Sequence, residues 1–255
     1  MNLKEKTILI TGGGSGIGLE AAKQFLQIGA KVIITGRNQD KLKAAKKAYP
    51  NLITIQSDAG NEDDAYALFD KVKELGGIDI LYNNAGVGIP PINLGLSNDA
   101  HLKGAAYEIQ VNYLGVVRLN NLFMEMLKSR EESAIINTTS ILSMVPSLIE
   151  ATYSASKSAL AFYTKSLREH LKILGAKVKV FELLPPLVDT DMVADREDKK
   201  ISPEQLVKEL IKGLEQDQYT IRVGDSKLIY FFNRFFPKLA FGLINPKKTN
   251  ATLKS

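Results

Sequence analysis

Residues 6–18, Lys-Thr-Ile-Leu-Ile-Thr-Gly-Gly-Gly-Ser-Gly-Ile-Gly, constrain the fold more than any other stretch. The first six form a short β-branched apolar run of the kind that makes a buried strand. Glycines follow, and then a helical pattern sets Ile17, Ala21, Ala22, Phe25 and Leu26 on one face. A strand that turns through glycines into a helix leaves the first helical N–H groups free, places the positive dipole end there, and lets a ligand approach the backbone. Such a cradle suits phosphate. Its spacing, Gly12-x-x-x-Gly16-x-Gly18, differs from the Gly-x-Gly-x-x-Gly of the familiar dinucleotide fingerprint. Taken alone, the loop also fits a glycine-rich turn that holds nothing.

The alternation of strand and helix continues. Apolar runs at 31–35, 52–56, 78–82, 133–139 and 177–184 read as strands. Helical patterns fall between them at about 39–48, 62–75 and 107–128, and another ends near 174. Alternation of this kind predicts a parallel sheet covered by helices on both faces. No linker, repeat or low-complexity tract divides the 255 residues, so one domain spanning 1–255 is expected. The absence of cysteine excludes disulfides and thiolate chemistry, and two histidines, His101 and His170, make a histidine zinc site improbable. The formal charge of +5 is spread too thinly to argue for nucleic acid. Without a signal-like h-region or an apolar run of membrane-spanning length, a soluble cytoplasmic protein is expected.

Ligands of an open parallel sheet bind outside the C-terminal strand ends. The second strand ends in Gly36-Arg37, with no carboxylate to hold a ribose 2′-hydroxyl; the forked guanidinium suits a 2′-phosphate, favouring NADPH with NADH as the other candidate. The alternative is that Arg37 is a solvated loop residue. Asp58, just past the third strand, can reach an adenine amino group or cap its own loop. Asn83-Asn84-Ala85-Gly86 ends the fourth strand, and the turn-rich stretch 87–104 is long enough to be functional. Asn112 stands among apolar residues and needs a partner. Ser140 ends the fifth strand. Tyr153 and Lys157, four apart, share a helix face, where a cation beside a phenol favours the phenolate and lowers its pKa. A Tyr-x-x-x-Lys pair is a sensible general acid/base, yet such pairs also occur on ordinary solvated helices.

Thr11-Gly12-x-x-x-Gly16-x-Gly18, Asn83-Asn84-Ala85-Gly86, Asn112, Ser140 and Tyr153-x-x-x-Lys157 together resemble the short-chain dehydrogenase/reductase family in order and spacing, across nearly the whole chain. The resemblance implies a doubly wound single-domain Rossmann fold, its seven-stranded parallel sheet in the order 3-2-1-4-5-6-7. It implies an oxidoreductase interconverting a carbonyl and an alcohol, with Tyr153 as acid/base and Ser140 holding the substrate oxygen. Lys157 would bind the nicotinamide ribose and depress the tyrosine pKa, while Asn112 would hold a water of a proton relay. Gly12, Ser15, Ile17 and Gly18 would line the pyrophosphate, Asp58 the adenine, Asn84 the adenosine-side wall, and Val188 and Thr190 the nicotinamide amide. Gly16, Ala85, Gly86 and Pro185 would also contact the cofactor. A homodimer or homotetramer is the family's usual state. A narrower resemblance links Glu182-x-x-Pro185-Pro186-x-Val188-x-Thr190, Ile221-Arg222-Val223-Gly224 and Ile244-Asn245-Pro246 to bacterial reductases associated with teichoic-acid D-alanylation operons. Pro186 stands where much of the family has glycine, which stiffens the loop and removes a backbone donor.

Residues 187–218 are expected to form a substrate loop or lid, with 195–200 an exposed, mobile end, and 226–246 an apolar C-terminal segment. Leu228, Phe231, Phe232 and Phe235 fall on one helical stripe, and Phe236, Ala240, Leu243 and Ile244 give a second. These suit a lid or a subunit interface; bordered by Arg234, Lys238, Lys247 and Lys248, they also suit a membrane surface. The apolar loops at 142–148 and 188–201 favour a hydrophobic or bulky carbonyl. The rival function class is an NADP-binding sensor or membrane-associated scaffold that does not turn over.

Overall fold

In the computed structural model, which describes residues 1–253, strands β1 (Thr7–Ile10), β2 (Lys31–Gly36), β3 (Ile53–Gln56), β4 (Ile80–Asn83), β5 (Ser133–Thr138), β6 (Val178–Leu184) and β7 (Thr220–Arg222) form one sheet. All neighbours pair in parallel, in the order β3-β2-β1-β4-β5-β6-β7, as expected. The helices are α1 (Gly16–Ile28), α2 (Gln39–Ala48), α3 (Glu62–Glu74), α4 (Asp99–Ile109), α5 (Gly115–Lys128), α6 (Ala151–Ile173), α7 (Pro203–Glu215), α8 (Asp225–Phe235) and α9 (Pro237–Ile244).

Successive strand side chains point to opposite faces, so the buried runs divide into two cores. Ile8, Ile10, Ile34, Tyr82 and Ile136 join Phe25, Leu42 and Leu206 on one face. Leu9, Ile33, Leu81 and Ile135 join Leu68, Phe123 and Leu171 on the other. The central strands read as near-continuous apolar runs because both faces are covered. The strand order reverses direction between β1 and β4, which opens the crevice where both ends splay apart.

Three expectations need correction. The single helix at 107–128 is two helices: α4 begins eight residues earlier, at the Asn98 cap, and a π-helical turn, Gln110–Leu114, separates it from α5. The cap is visible in the structure because the Asn98 side chain accepts from Ala100 N at 2.9 Å and His101 N at 3.2 Å. The π-turn faces two crowding loops. A Cβ on Gly115 would meet the Ala59 carbonyl at 2.1 Å, and Asn112 must reach Val87. In the stretch 187–218, residues 203–215 are core rather than lid: Leu206, Val207, Leu210 and Leu214 are buried against the sheet and α1. Only 187–202 borders the crevice, and 195–200 is fastened there by Arg196 to Glu150 and by Lys200 to Asp189. Finally, the single apolar stripe expected at 228/231/232/235 is divided between two surroundings. Ile229 and Phe232 pack inward on Ile141, Leu142 and Val145, leaving Leu228, Phe231 and Phe235 exposed.

Candidate active site

The glycine loop is built for close approach. Gly12 and Gly16 have φ of 65° and 52°, and a Cβ on Gly18 would lie 2.3 Å from the Gly12 carbonyl oxygen and 2.6 Å from Asn84 Nδ2. Asn84 holds the loop: its Nδ2 donates to the carbonyls of Thr11 (3.0 Å) and Gly12 (3.3 Å). The Thr11 hydroxyl in turn accepts from the backbone of Asn84 and Ala85. The tip of β4 is thus clamped to the tip of β1. Ser15 precedes α1 in extended conformation, with its side chain making no cap bond, so the helix N-terminus stays open to a ligand. This cradle, with room only for backbone, fits a dinucleotide pyrophosphate.

One cleft of about 830 Å³ runs from the glycine loop to the substrate end. All the candidate site residues except Gly18 line it directly or through their neighbours: Gly12, Ser15, Gly16, Ile17, Arg37, Asp58, Asn84, Ala85, Gly86, Ser140, Tyr153, Lys157, Pro185, Val188 and Thr190 form its walls, while Asn112 stands behind Gly86. Arg37 is held at the cleft edge by the Tyr107 hydroxyl and lies 3.9 Å from Asp58 Oδ2. Asp58 does cap its loop, accepting from Gly60 N at 2.9 Å, and still faces the cleft. Val188 is buried, tied into a bridge with Ile201. Lys41 Nζ meets Asp191 Oδ2 at 2.7 Å, so a bridge crosses from α2 to the loop after β6 and holds the Asp191 carboxyl below its usual range.

At the other end, Ser140 Oγ accepts from Leu142 N at 3.1 Å, and both Ser140 and Tyr153 line the cleft there. Lys157 Nζ donates to the Thr138 carbonyl at 2.8 Å and lies 5.7 Å from the Tyr153 ring centroid. Burial brings the Lys157 ammonium down to about 8. The phenol departs from expectation. Burial pushes it above its ordinary value, Glu150 pushes it the same way, Ser140 opposes them, and Glu108 adds to the rise. Desolvation of the phenolate outweighs the effect expected of Lys157.

Asn112 is fully engaged. Its Oδ1 accepts from Val87 N at 2.8 Å, and its Nδ2 donates to the Val87 carbonyl (2.8 Å) and to Ser156 Oγ (3.0 Å). Ser156 Oγ passes a bond to the Tyr153 carbonyl at 2.7 Å. The π-turn therefore fixes both the loop beside Gly86 and the helix turn that carries Tyr153.

The sequence pattern of the short chain dehydrogenases matches residues 6–201. The chain belongs to the short-chain dehydrogenase/reductase family. Among its relatives, the oxidoreductase DltE of Bacillus subtilis (strain 168) is 35% identical over 228 residues, covering 87% of this chain and 89% of that protein. The NADPH-dependent 1-acyldihydroxyacetone phosphate reductase of Schizosaccharomyces pombe is 34% identical over 179 residues, 68% of this chain and 57% of its own. A short chain dehydrogenase from Burkholderia cenocepacia, solved in complex with NADP, superposes with a TM-score of 0.84 at 26% identity, covering 96% and 99% of the two chains. This short-chain dehydrogenase/reductase is thus an oxidoreductase of an NAD(P)-binding family, and no helix among its described residues is long and apolar enough to cross a membrane.

Sequence reasoning passed over two supports of the family's site in this chain. Asn83 Nδ2 donates to Asn120 Oδ1 (2.8 Å) and Asn137 Oδ1 (2.9 Å), and Asn137 Nδ2 to Thr164 Oγ1 (3.0 Å), a buried polar lattice beneath the cleft. Asparagines at the end of two adjacent strands were its only sequence signal. Asn245, at the end of α9, accepts from Leu148 N (2.7 Å) and donates to the Pro146 carbonyl (2.9 Å), pinning the loop that leads into α6.

Proposed function

We propose that the protein reduces an apolar carbonyl with NADPH, using Tyr153 as the general acid. The observation that carries this reading is the convergence of Ser140, Tyr153 and Lys157 at one end of a cleft whose other end is the glycine cradle. Gly12, Ser15, Ile17 and Gly18 would hold the pyrophosphate, Arg37 a 2′-phosphate, Asp58 the adenine, and Val188 and Thr190 the nicotinamide amide. When bound, NADPH supplies hydride for the carbonyl carbon. Ser140 Oγ and Tyr153 Oη would hold the carbonyl oxygen between them, and the Tyr153 Oη proton passes to that oxygen as its charge grows. A phenol kept neutral by burial is in the right form to donate. Lys157, buried beside it, stabilises the phenolate left behind and can return a proton from Nζ. The loop 187–202 would close the substrate end against water.

The cleft wall beyond Tyr153 is made by Leu142, Met192, Leu228, Ile229, Leu243 and Ile244, with Arg196 and Lys199 at its edge. An apolar carbonyl compound with an anionic end fits this wall, and the name of the fission-yeast relative, a reductase of an acylated keto phosphate, points the same way.

The test is NADPH oxidation across a carbonyl panel that includes acylated keto phosphates, with Tyr153→Phe protein as the blank. Turnover that falls by about 10²- to 10⁴-fold in the variant, with NADPH binding retained, supports the assignment. Equal turnover in the two proteins would remove Tyr153 from the chemistry. No turnover with tight NADPH binding would favour a cofactor sensor.

A further inference from the structure

The hairpin of α8 and α9 has two unlike faces. Its inner face, Ile229, Phe232, Ala240 and Ile244, packs on residues 141–145 beside Ser140 and Tyr153. Asn233 Nδ2 bonds the Met144 carbonyl at 3.1 Å, and Asn245 pins the far end, so the hairpin is fastened to the active-site loop. The outer face stays apolar: Phe231 (50% exposed), Phe235 (62%), Phe236 (55%) and Leu239 (48%) form a continuous aromatic and aliphatic surface. Phe231 and Phe235 touch with tilted rings, their centroids 5.0 Å apart and their planes at 51°. Isolated apolar residues on a surface need no account; a clustered set does.

The charged residues of the hairpin and of the segment after it are basic with one exception. Lys227, Arg234, Lys238, Lys247 and Lys248 border it, and Asp225 is the sole acid from residue 225 to 253. Among the described residues Lys227, Arg234 and Lys238 make no ion pair, and Lys248 makes only a long one, 3.8 Å to Asp198. An apolar strip with an uncompensated basic rim is complementary to an anionic lipid surface, where the rings enter the headgroup boundary and the cations meet the phosphates. A second copy of the chain is a poorer occupant, because a two-fold contact sets this rim against itself and like charges repel.

The surface also meets the cleft. Leu228 and Leu243 line the substrate end and are each about half exposed on the hairpin, at 51% and 50%. The mouth of the cleft thus opens between the hairpin residues that would lie on the lipid.

We propose that the α8–α9 hairpin docks this protein, without spanning, on an anionic membrane surface, so that an amphiphilic carbonyl compound can pass from lipid into the cleft. The docking rests on the hairpin alone; the passage of substrate rests in addition on the reductase reading above.

The test is flotation of the full chain with phosphatidylglycerol-containing vesicles and with pure phosphatidylcholine vesicles, at low and high salt, for wild type and Phe231→Ser/Phe235→Ser. Neither residue lines the cleft. The expected result is binding to anionic vesicles that weakens with salt and falls by at least about tenfold in the double variant. Its melting temperature and its NADPH oxidation of a water-soluble carbonyl should be unchanged. No flotation on anionic vesicles would overturn the proposal, as would undiminished flotation of the variant. Sedimentation velocity adds a third arm: dissociation of an oligomer by the double substitution, without vesicle binding by wild type, would assign the surface to a second copy instead. Because flotation needs no turnover, a silent carbonyl panel would leave this result standing.

Discussion

Arg196 Nη1 lies 2.7 Å from Glu150 Oε2, which fastens the loop after β6 to the residue that precedes α6. Glu150 stands three positions before Tyr153, and its charge helps hold the phenol above its ordinary value, after burial. The loop proposed to cover the substrate therefore also neutralises a charge that acts on the proposed acid.

That coupling has a sign. The groups acting on Tyr153 are Glu150, Glu108, Ser140 and, from the next turn of its own helix, Lys157. Glu150→Gln removes a negative charge, so the phenolate becomes easier to form. The rising limb of kcat/KM for alcohol oxidation should move to lower pH. Arg196→Gln leaves Glu150 unneutralised and should move it to higher pH. Profiles that coincide with wild type for both variants would detach this ion pair from the chemistry.

The strands, the helices between them and the glycine cradle were legible in the chain because their signals are local, whereas the sheet order came only with the family resemblance. Strand, glycine loop and helix at 6–18 and the apolar runs that follow need no partner to be recognised. The helix start at Asn98 was hidden by Gly95 and Gly104, which read as turn although Gly104 sits inside α4 with Ile89 packed close by. Likewise 203–215 looked like the continuation of a lid, because a helix that covers the sheet edge differs from a solvated one only in where Leu206 and Leu210 find their neighbours. Arg196 on Glu150 and Asn245 on Leu148 are contacts 46 and 97 residues apart, which no spacing in the sequence announces.

Lys157 carries a stability prediction. Its ammonium titrates near about 8 in the fold because it is buried, so keeping it charged at neutral pH costs roughly 3 kcal/mol. Lys157→Met removes that cost and leaves the Thr138 carbonyl without its donor, a loss of about 1–3 kcal/mol. The variant should melt no lower than wild type at pH 7 while its turnover falls by about 100-fold or more. Above pH 8 the folded protein gives up the Lys157 proton, whereas the unfolded chain keeps it to about 10.4, so wild type gains stability with pH across that window. The melting difference, variant minus wild type, should shrink between pH 8 and 10. A difference that is flat or grows would mean that burial does not set this titration.

Gly14, in the glycine loop, and Gly18, in the first turn of α1, should answer alanine differently. At Gly18 the new methyl meets the Gly12 carbonyl oxygen at 2.3 Å and Asn84 Nδ2 at 2.6 Å, and the backbone atom cannot rotate away. Gly18→Ala should destabilise by about 1–3 kcal/mol and weaken NADPH binding, since the cradle must open to take it. At Gly14 the nearest neighbour is Lys41 Cβ at 3.4 Å, an ordinary contact, and Gly14→Ala should melt within about 0.5 kcal/mol of wild type. Thermal melting of both variants checks the pair. Equal losses would show that the loop responds to its flexibility and not to the clash.

The proposed preference for NADPH rests on Arg37. Its guanidinium faces the cleft between Tyr107 and Asp58, at the end of β2, where a 2′-phosphate of the adenosine ribose would lie. Two anchors hold the fork in place before a phosphate arrives, which lowers the entropy lost on binding. Arg37→Ala should raise KM for NADPH by about ten- to a hundredfold, the range of a charge-assisted hydrogen bond, and leave KM for NADH within about threefold. Tyr107→Phe keeps the charge and removes one anchor, so its effect should have the same selectivity and be smaller. Losses of equal size with both cofactors would assign Arg37 to the fold. An unchanged KM for NADPH would place the 2′-phosphate elsewhere, with Lys41 another cation on the cleft wall.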